Sequence, residues 1–473
     1  MRAQVRVAAV LLVIVGLACR DDRLLREARR QVKAALETGE KPFRGKKRSD
    51  AGDVWKDVRA FYERRQFTPA WIEGRRPRAK WDHFREALQA AQRHGLEPLT
   101  YDVNAQLALR AQTNRTILGA EEVEESRIGE TDVRITYTFL LFASHLLHGE
   151  LDPEDVDAAW TAKRRRADLP AIVAKAIETG DVQGALDSVA PRHDGYQWLA
   201  AALARLRAEG HAQEARRVEL NLDRWRWLPE SLGGRYVLVN IPSYELRLVD
   251  GGKEALRMKV VVGKAFNPTP VFSDEITYLV FNPRWNIPPN ILVEEIVPEV
   301  QKDRGYLERH DMEIVKDGQI VSVGDVDLDE PKSFEIRQRS GPKNALGLVK
   351  FGLPNKFDVY LHDTPADALF SRTSRAFSHG CVRLEKPVEL AQALLRDQPK
   401  WTRVAIEKAM QDGTEQHVEL RSPIPVHIVY LTAWAEQDGT LRFGEDVYGH
   451  DQTQSAALTR ARSGPEPRRA SAR

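Results

Sequence analysis

Cysteine is scarce in this chain: 473 residues hold two, Cys19 and Cys381. Two isolated thiols build no disulfide framework, and no CxxC pair marks a zinc site or a redox dithiol. A charge of one sign is lacking as well. The 71 Lys and Arg residues nearly cancel 69 Asp and Glu, and no basic stripe with interleaved aromatics stands out, so nucleic acid is not expected as a partner. The common hydrolase and metalloenzyme motifs GxSxG and HExxH are missing. The one SxxK match, Ser340 to Lys343, contains Gly341 and Pro342 and has no SDN or KTG companion. Long apolar runs are also absent, apart from Val7 to Ala18 behind Arg2 and Arg6. A bilayer span needs about 20 apolar residues, so residues 1–18 read as an export signal peptide rather than a membrane helix.

Cys19 closes that run after Gly16-Leu17-Ala18, which resembles the lipobox of bacterial lipoproteins. The resemblance implies lipidation of Cys19 and an exported, periplasmic chain tethered to a membrane. Cleavage of a plain signal peptide nearby is the alternative. If Cys19 carries lipid, Cys381 is the one thiol of the mature chain, and a lone exported thiol calls for a chemical reason. Residues 19–52 are dominated by charge, including the cluster Arg44, Lys46, Lys47 and Arg48, and read as a tether.

The length exceeds one ordinary domain. From residue 53 to 229 the pattern is helical. Trp81, Phe84, Leu88 and Ala91 recur at spacings of three and four, Val133 to Leu147 forms an apolar helix stopped by Gly149, and Tyr196, Leu199, Leu203 and Leu206 repeat the theme. At Arg235 the period changes to two. RYVLVN and YELRLVD flank a turn at Pro242-Ser243, LRMKVVVG follows, and EITYLVF, SFEIRQR and FDVYLHD are further strands, with helices near Pro289–Val300 and Val388–Arg396. The expected fold is therefore α+β and multidomain: a helical scaffold at 53–229, a mainly β catalytic domain at 230–410, an extension at 411–451 packing on it, and a disordered tail at 452–473.

The stretch YLHDTPADALFSRTSRAFSHGCVRLEKP, residues 360–387, carries the chemistry. A thiol attacks as thiolate and, with a reference pKa of about 8.5, needs a base or positive dipole nearby. His362 and His379 are both available. Gly380 allows close backbone approach, so amides around Gly380-Cys381 are candidate oxyanion donors, with Ser378 adding a hydroxyl. Arg383, two residues along a strand, shares a face with Cys381 and is expected to brace the loop through a salt bridge or hydrogen bond. Two other readings stay open: an inert buried cysteine, and a metal site built from His362, Asp363, His379 and Cys381, whose spacing matches no common zinc pattern.

SHGCVRL with the upstream histidine resembles the signature of the L,D-transpeptidase catalytic domain. NLDRWRWLP, FNPRWNIPPNI, SGPKNALGLVKFGLPN, YLHDTP, PIPVHIVYLTAW and FGEDVYGHD resemble the large, scaffold-bearing subgroup, and RRQFTPAW and HGLEPLTYD its helical scaffold. The resemblance implies Cys381 as nucleophile, His362 as proton acceptor and donor, and Ser378, His379, Gly380 and Arg383 as residues shaping the site. It implies peptidoglycan stem peptides as donor and acceptor substrates, 3-3 cross-links as product, and no cofactor or metal. The small peptidoglycan-binding module common in the subgroup has no room here, because Tyr196–Arg207 runs almost directly into Arg217–Pro229. Between Pro288 and Pro331 the chain is polar, and Leu307 to Val321 is a candidate lid over the site.

Overall fold

The computed structural model describes residues 22–37, 49–77, 79–101, 123–162 and 165–462. The signal segment, Cys19 and the basic cluster at 44–48 lie outside the described residues. Among the described residues, no helix is long and apolar enough to cross a membrane.

The N-terminal part is helical. Its central helix, Ile128–His148, is buried around almost its whole circumference and ends at Gly149, whose φ of +88° suits glycine. Ser49–Arg64, Ala79–Gln89 and Leu169–Thr179 pack about it, and Tyr62, Trp71, Phe84 and Phe139 fill the core between them. Burial of each such ring is worth about 2–3 kcal/mol. Asp132 sits at the centre of this layer. Its carboxylate accepts the amides of Ala70 at 2.8 Å, Trp71 at 2.8 Å and Ile72 at 3.0 Å, and the Tyr62 hydroxyl at 2.5 Å. The charged segment is helical at 22–37, in keeping with a partly helical tether, and the tether reading is corrected in that Val32 and Leu36 enter the same core. Ala28, Val32 and Leu36 recur every fourth residue, which gives an otherwise charged segment an apolar stripe.

The second part is built on nine strands, numbered here in chain order: β1 Arg235–Asn240, β2 Glu245–Asp250, β3 Lys253–Gly263, β4 Phe272–Phe281, β5 Val349–Gly352, β6 Leu361–His362, β7 Ala376–Ser378, β8 Val382–Leu384 and β9 Gln416–Val429. They lie in the order β7-β3-β8-β6-β5-β4-β9-β1-β2, and β2 pairs back onto β3, so the ladder closes into a ring. Closure pairs both sides of eight strands and leaves β7, paired with β3 alone, on the outside. The core within is largely Val, Ile, Leu and Phe, joined by Leu151, Trp160 and Trp227 from the helical part.

Two expectations about the C-terminus are overturned. Residues 411–451 do not merely pack on the catalytic domain, because β9 is an interior strand paired with β4 on one side and β1 on the other. Residues 452–462 are not a disordered tail either. They continue the helix His450–Arg462, in which Gln454, Ala457 and Leu458 are buried. Polar anchors take the place of a long apolar face: Arg224 pairs with Asp451 at 2.7 Å and donates to Gln454 at 2.8 Å, and Arg462 donates to Glu150 at 3.0 Å. Residues 463–473 lie outside the described residues.

Residues 285–338 form a separate cap on the ring. Four short strands, Trp285–Asn286, Met312–Lys316, Gln319–Val321 and Glu335–Gln338, make a sheet. It encloses its own apolar cluster of Ile287, Ile291, Leu292, Val300, Ile314 and Ile336. The candidate lid at Leu307 to Val321 is one part of this larger unit.

Candidate active site

Strand register brings the sequence candidates together. On the parallel pair β6–β8, Leu361 stands opposite Val382 and His362 opposite Arg383. One residue earlier on each strand stand Tyr360 and Cys381. Residues two apart share a face of the sheet, so Tyr360, His362, Cys381 and Arg383 form a two-by-two block. The antiparallel pair β5–β6 extends it, with Lys350 opposite His362.

A sharp elbow presents Cys381. Gly380 has φ of +115°, a conformation that strains any residue with a Cβ, and its backbone is locked from both sides. Its amide donates to Ser378 Oγ at 3.1 Å, Ser378 Oγ donates to the Cys381 carbonyl at 2.5 Å, and Thr269 Oγ1 donates to the Gly380 carbonyl at 2.7 Å. Thr269 is held in turn by the Gly263 amide, and its own amide donates to the Tyr448 hydroxyl. The Ser378 hydroxyl and the Gly380 amide are thus committed to the turn, which corrects the expectation that they face an oxyanion. The Cys381 amide is the remaining candidate donor.

His362 is 4% exposed. Its Nδ1 lies 2.5 Å from the Asp363 carbonyl oxygen, so Nδ1 carries the proton and Nε2 is left with the lone pair. A main-chain carbonyl, rather than a carboxylate, orients the ring. The Asp363 carboxylate is turned away, accepting the amides of Leu348 and Thr364. Burial above all, then the Arg383 guanidinium, lowers the His362 pKa to about 3, with a smaller push from Lys350. Burial pushes the half-buried Cys381 thiol up, while the Tyr360 amide and hydroxyl, Lys350 and Arg383 pull it down. The resting pair is therefore a neutral thiol beside a neutral imidazole, not a thiolate–imidazolium ion pair.

The expected brace from Arg383 is not found. Its buried Nε has no hydrogen-bond partner among the described residues, and burial lowers its pKa while Cys381 works the other way. Ser378 and Thr269 hold the loop instead. His379 points away from the block, its Nε2 2.6 Å from Glu295 in the cap. With His379 tied to Glu295 and the Asp363 carboxylate bound to amides, the four groups of the alternative metal site do not converge.

Sequence reasoning missed Tyr360, Lys350, Trp285, Thr269 and Tyr448. Tyr360 carried a usable signal, since it lies two residues before His362 on a strand and so on the same face. The others come from distant segments, and only the register reveals them.

The thiol on its glycine elbow and the backbone-oriented imidazole thus share one face of two paired strands. Residues 234–428 match the family model of the L,D-transpeptidase catalytic domain and residues 56–203 that of the Scaffold domain. The chain thus carries an L,D-transpeptidase catalytic domain behind a helical scaffold. It is 34% identical over 240 residues to a protein of Haemophilus influenzae named "Putative L,D-transpeptidase", a match covering 50% of this chain and 48% of that relative. The chain thus spans about half the length of the curated relative it matches. Among solved structures, an L,D-transpeptidase from Mycobacterium smegmatis is 13% identical, with a TM-score of 0.22 over 41% of this chain and 58% of that one. L,D-transpeptidase 3 from Mycobacterium tuberculosis is likewise 13% identical, with a TM-score of 0.20 over 41% of this chain and 60% of its own. Overlaps so small carry no functional argument.

Proposed function

We propose that this protein is an exported L,D-transpeptidase that forms 3-3 cross-links in peptidoglycan through a thioester on Cys381. The observation that carries the reading is the block of Tyr360, His362, Cys381 and Arg383 on one face, with His362 Nδ1 held by the Asp363 carbonyl. Cys381 Sγ attacks the carbonyl of the third residue of a tetrapeptide stem as His362 takes the thiol proton. The tetrahedral oxyanion is met by the Cys381 amide. Collapse breaks the bond to the terminal D-Ala, whose amine leaves with the proton from His362, and the stem stays as a thioester. The side-chain amine of a neighbouring stem then attacks, His362 again moves the proton, and the thiol is regenerated. Water as the second nucleophile would make the protein an L,D-carboxypeptidase, and a free D-amino acid would make it an exchange enzyme.

The scaffold, the catalytic domain, or lipid on Cys19 if present, would hold the enzyme against the wall. Incubation with purified disaccharide-tetrapeptide should release D-Ala and yield 3-3 linked dimers. It should also leave a stem mass on the peptide Ala376–Arg383 that is absent after Cys381→Ser. Tripeptides without dimers would reassign the activity to hydrolysis, and no acyl adduct on folded protein would sink the cysteine mechanism. Mass spectrometry of the mature N-terminus tests the anchor: an unmodified terminus beyond Cys19 removes it.

A further inference from the structure

Register across three neighbouring strands places Lys350 of β5 opposite His362 of β6, and His362 opposite Arg383 of β8. Directly opposed residues on adjacent strands share a face, so two basic side chains flank one imidazole in a single row. Lys350 is further fixed by the ring of Tyr360. Its Nζ lies 3.9 Å from the ring centroid, within cation–π range. The Tyr360 ring meets the His362 ring edge-on at 5.7 Å, and the Tyr360 hydroxyl lies near the side chains of Cys381 and, in the cap, Trp285. The charged groups felt at Lys350 are Cys381, Glu415 and Asp358. Those felt at His362 are Arg383 and Lys350. Lys350 forms no ion pair closer than 4 Å among the described residues, which leaves its charge directed at the block.

We propose that Lys350 is a positioning residue of this site: its ammonium, seated on the Tyr360 ring and across from His362, biases the Cys381–His362 pair toward thiolate and against imidazolium. The proposal rests on the reading of Cys381 as nucleophile. A cation beside the row stabilises negative charge on Sγ and opposes positive charge on the imidazole, so one side chain acts on both partners. Arg383 supplies the same field from the other end of the row. The imidazole therefore sits between two cations, neither of which has to exchange a proton during turnover.

The test reads the thiol itself, independently of any peptidoglycan reaction. Iodoacetamide alkylation of Cys381 is followed from pH 6 to 10 in the full chain, in Lys350→Met and in Lys350→Arg. The Met variant should alkylate about three- to tenfold more slowly at pH 7.5, with its profile moved to higher pH, and Arg should restore most of the rate. An unchanged profile in a folded Met variant overturns the proposal, even if turnover falls, because loss of packing alone does not move a titration. An Arg variant as slow as Met overturns it too. If Lys350→Met does not fold, Lys350→Gln takes its place. The wild-type His362 ring, followed by NMR, must in any case stay neutral down to about pH 4, and titration near 6.5 overturns the proposal without any variant. A wild type that alkylates as described yet leaves stem peptides untouched would count against the proposed function and not against Lys350.

Discussion

Replacing Asp132 by Ala should unlock the scaffold more than any other single change in its helices. The carboxylate accepts three consecutive amides, Ala70, Trp71 and Ile72, and the Tyr62 hydroxyl, all in a site closed to water. Alanine would leave three buried amides without a partner, while the Tyr62 hydroxyl keeps Thr136 Oγ1 at 2.7 Å. Each orphan costs about 1–3 kcal/mol, and relaxation or an entering water recovers part of it, so the net loss should be about 3–5 kcal/mol. Burial raises the Asp132 pKa, which shows that the charge itself is costly and that the hydrogen bonds do the stabilising. Asp132→Asn keeps the shape but loses acceptor capacity and should fall in between. Hydrogen exchange of peptides covering residues 70–72 reports on this unit without requiring the whole chain to unfold in one step. Protection there should drop by about 100-fold or more in the Ala variant. A drop below fivefold would refute the view that the carboxylate, rather than ring packing, holds this chain segment on the central helix.

Three further outcomes are expected. His362 has a folded pKa of about 3 against 6.5, so between those values the unfolded chain binds more protons and stability rises with pH; this group's share of the loss from pH 7.5 to 5 should be about 2 kcal/mol in urea titrations, a share that His362→Gln removes while that of His94, also lowered to about 3, remains. Gly380→Ala meets no close neighbour, the nearest heavy atom being the Pro268 carbonyl oxygen at 3.7 Å, yet φ of +115° strains it; about 1–3 kcal/mol should be lost and acylation slowed at least tenfold, as read by melting and adduct mass. Glu295→Gln replaces a half-exposed partner of His379, so stability should change by less than about 1 kcal/mol while amides at 292–300 exchange severalfold faster.

The helices of the scaffold were legible because their apolar residues recur at three and four: Trp81, Phe84, Leu88 and Ala91 are all buried. The hairpin of β1 and β2 was legible from its alternation and turn. Strand β9 was not read as a strand, because Ser422, Pro423 and Pro425 interrupt its pattern and proline argues against a central strand. The ring accommodates them through a register shift between Glu419 and Ile424. The last helix was missed for another reason, since its anchors are ion pairs to residues more than 200 positions away. Around the thiol, one contiguous stretch held Cys381, His362 and Gly380, and composition alone made them conspicuous. Lys350, Thr269 and Trp285 reach the site only through pairing and loop packing that no local pattern encodes.

The interior position of β9 bears on when this site can come into being. A ribosome making the chain finishes Cys381 and His362 well before Gln416–Val429, the strand that joins β4 to β1. Until that strand arrives the ring is open, and the elbow bearing the thiol belongs to an unfinished wall. The clasp of Asp451 and Arg462 onto Arg224 and Glu150 comes later still. Reactivity is thus deferred to the end of synthesis. A polypeptide cut short at Gly449 would own every residue named in the mechanism and lack the clasp of the last helix on Arg224 and Glu150.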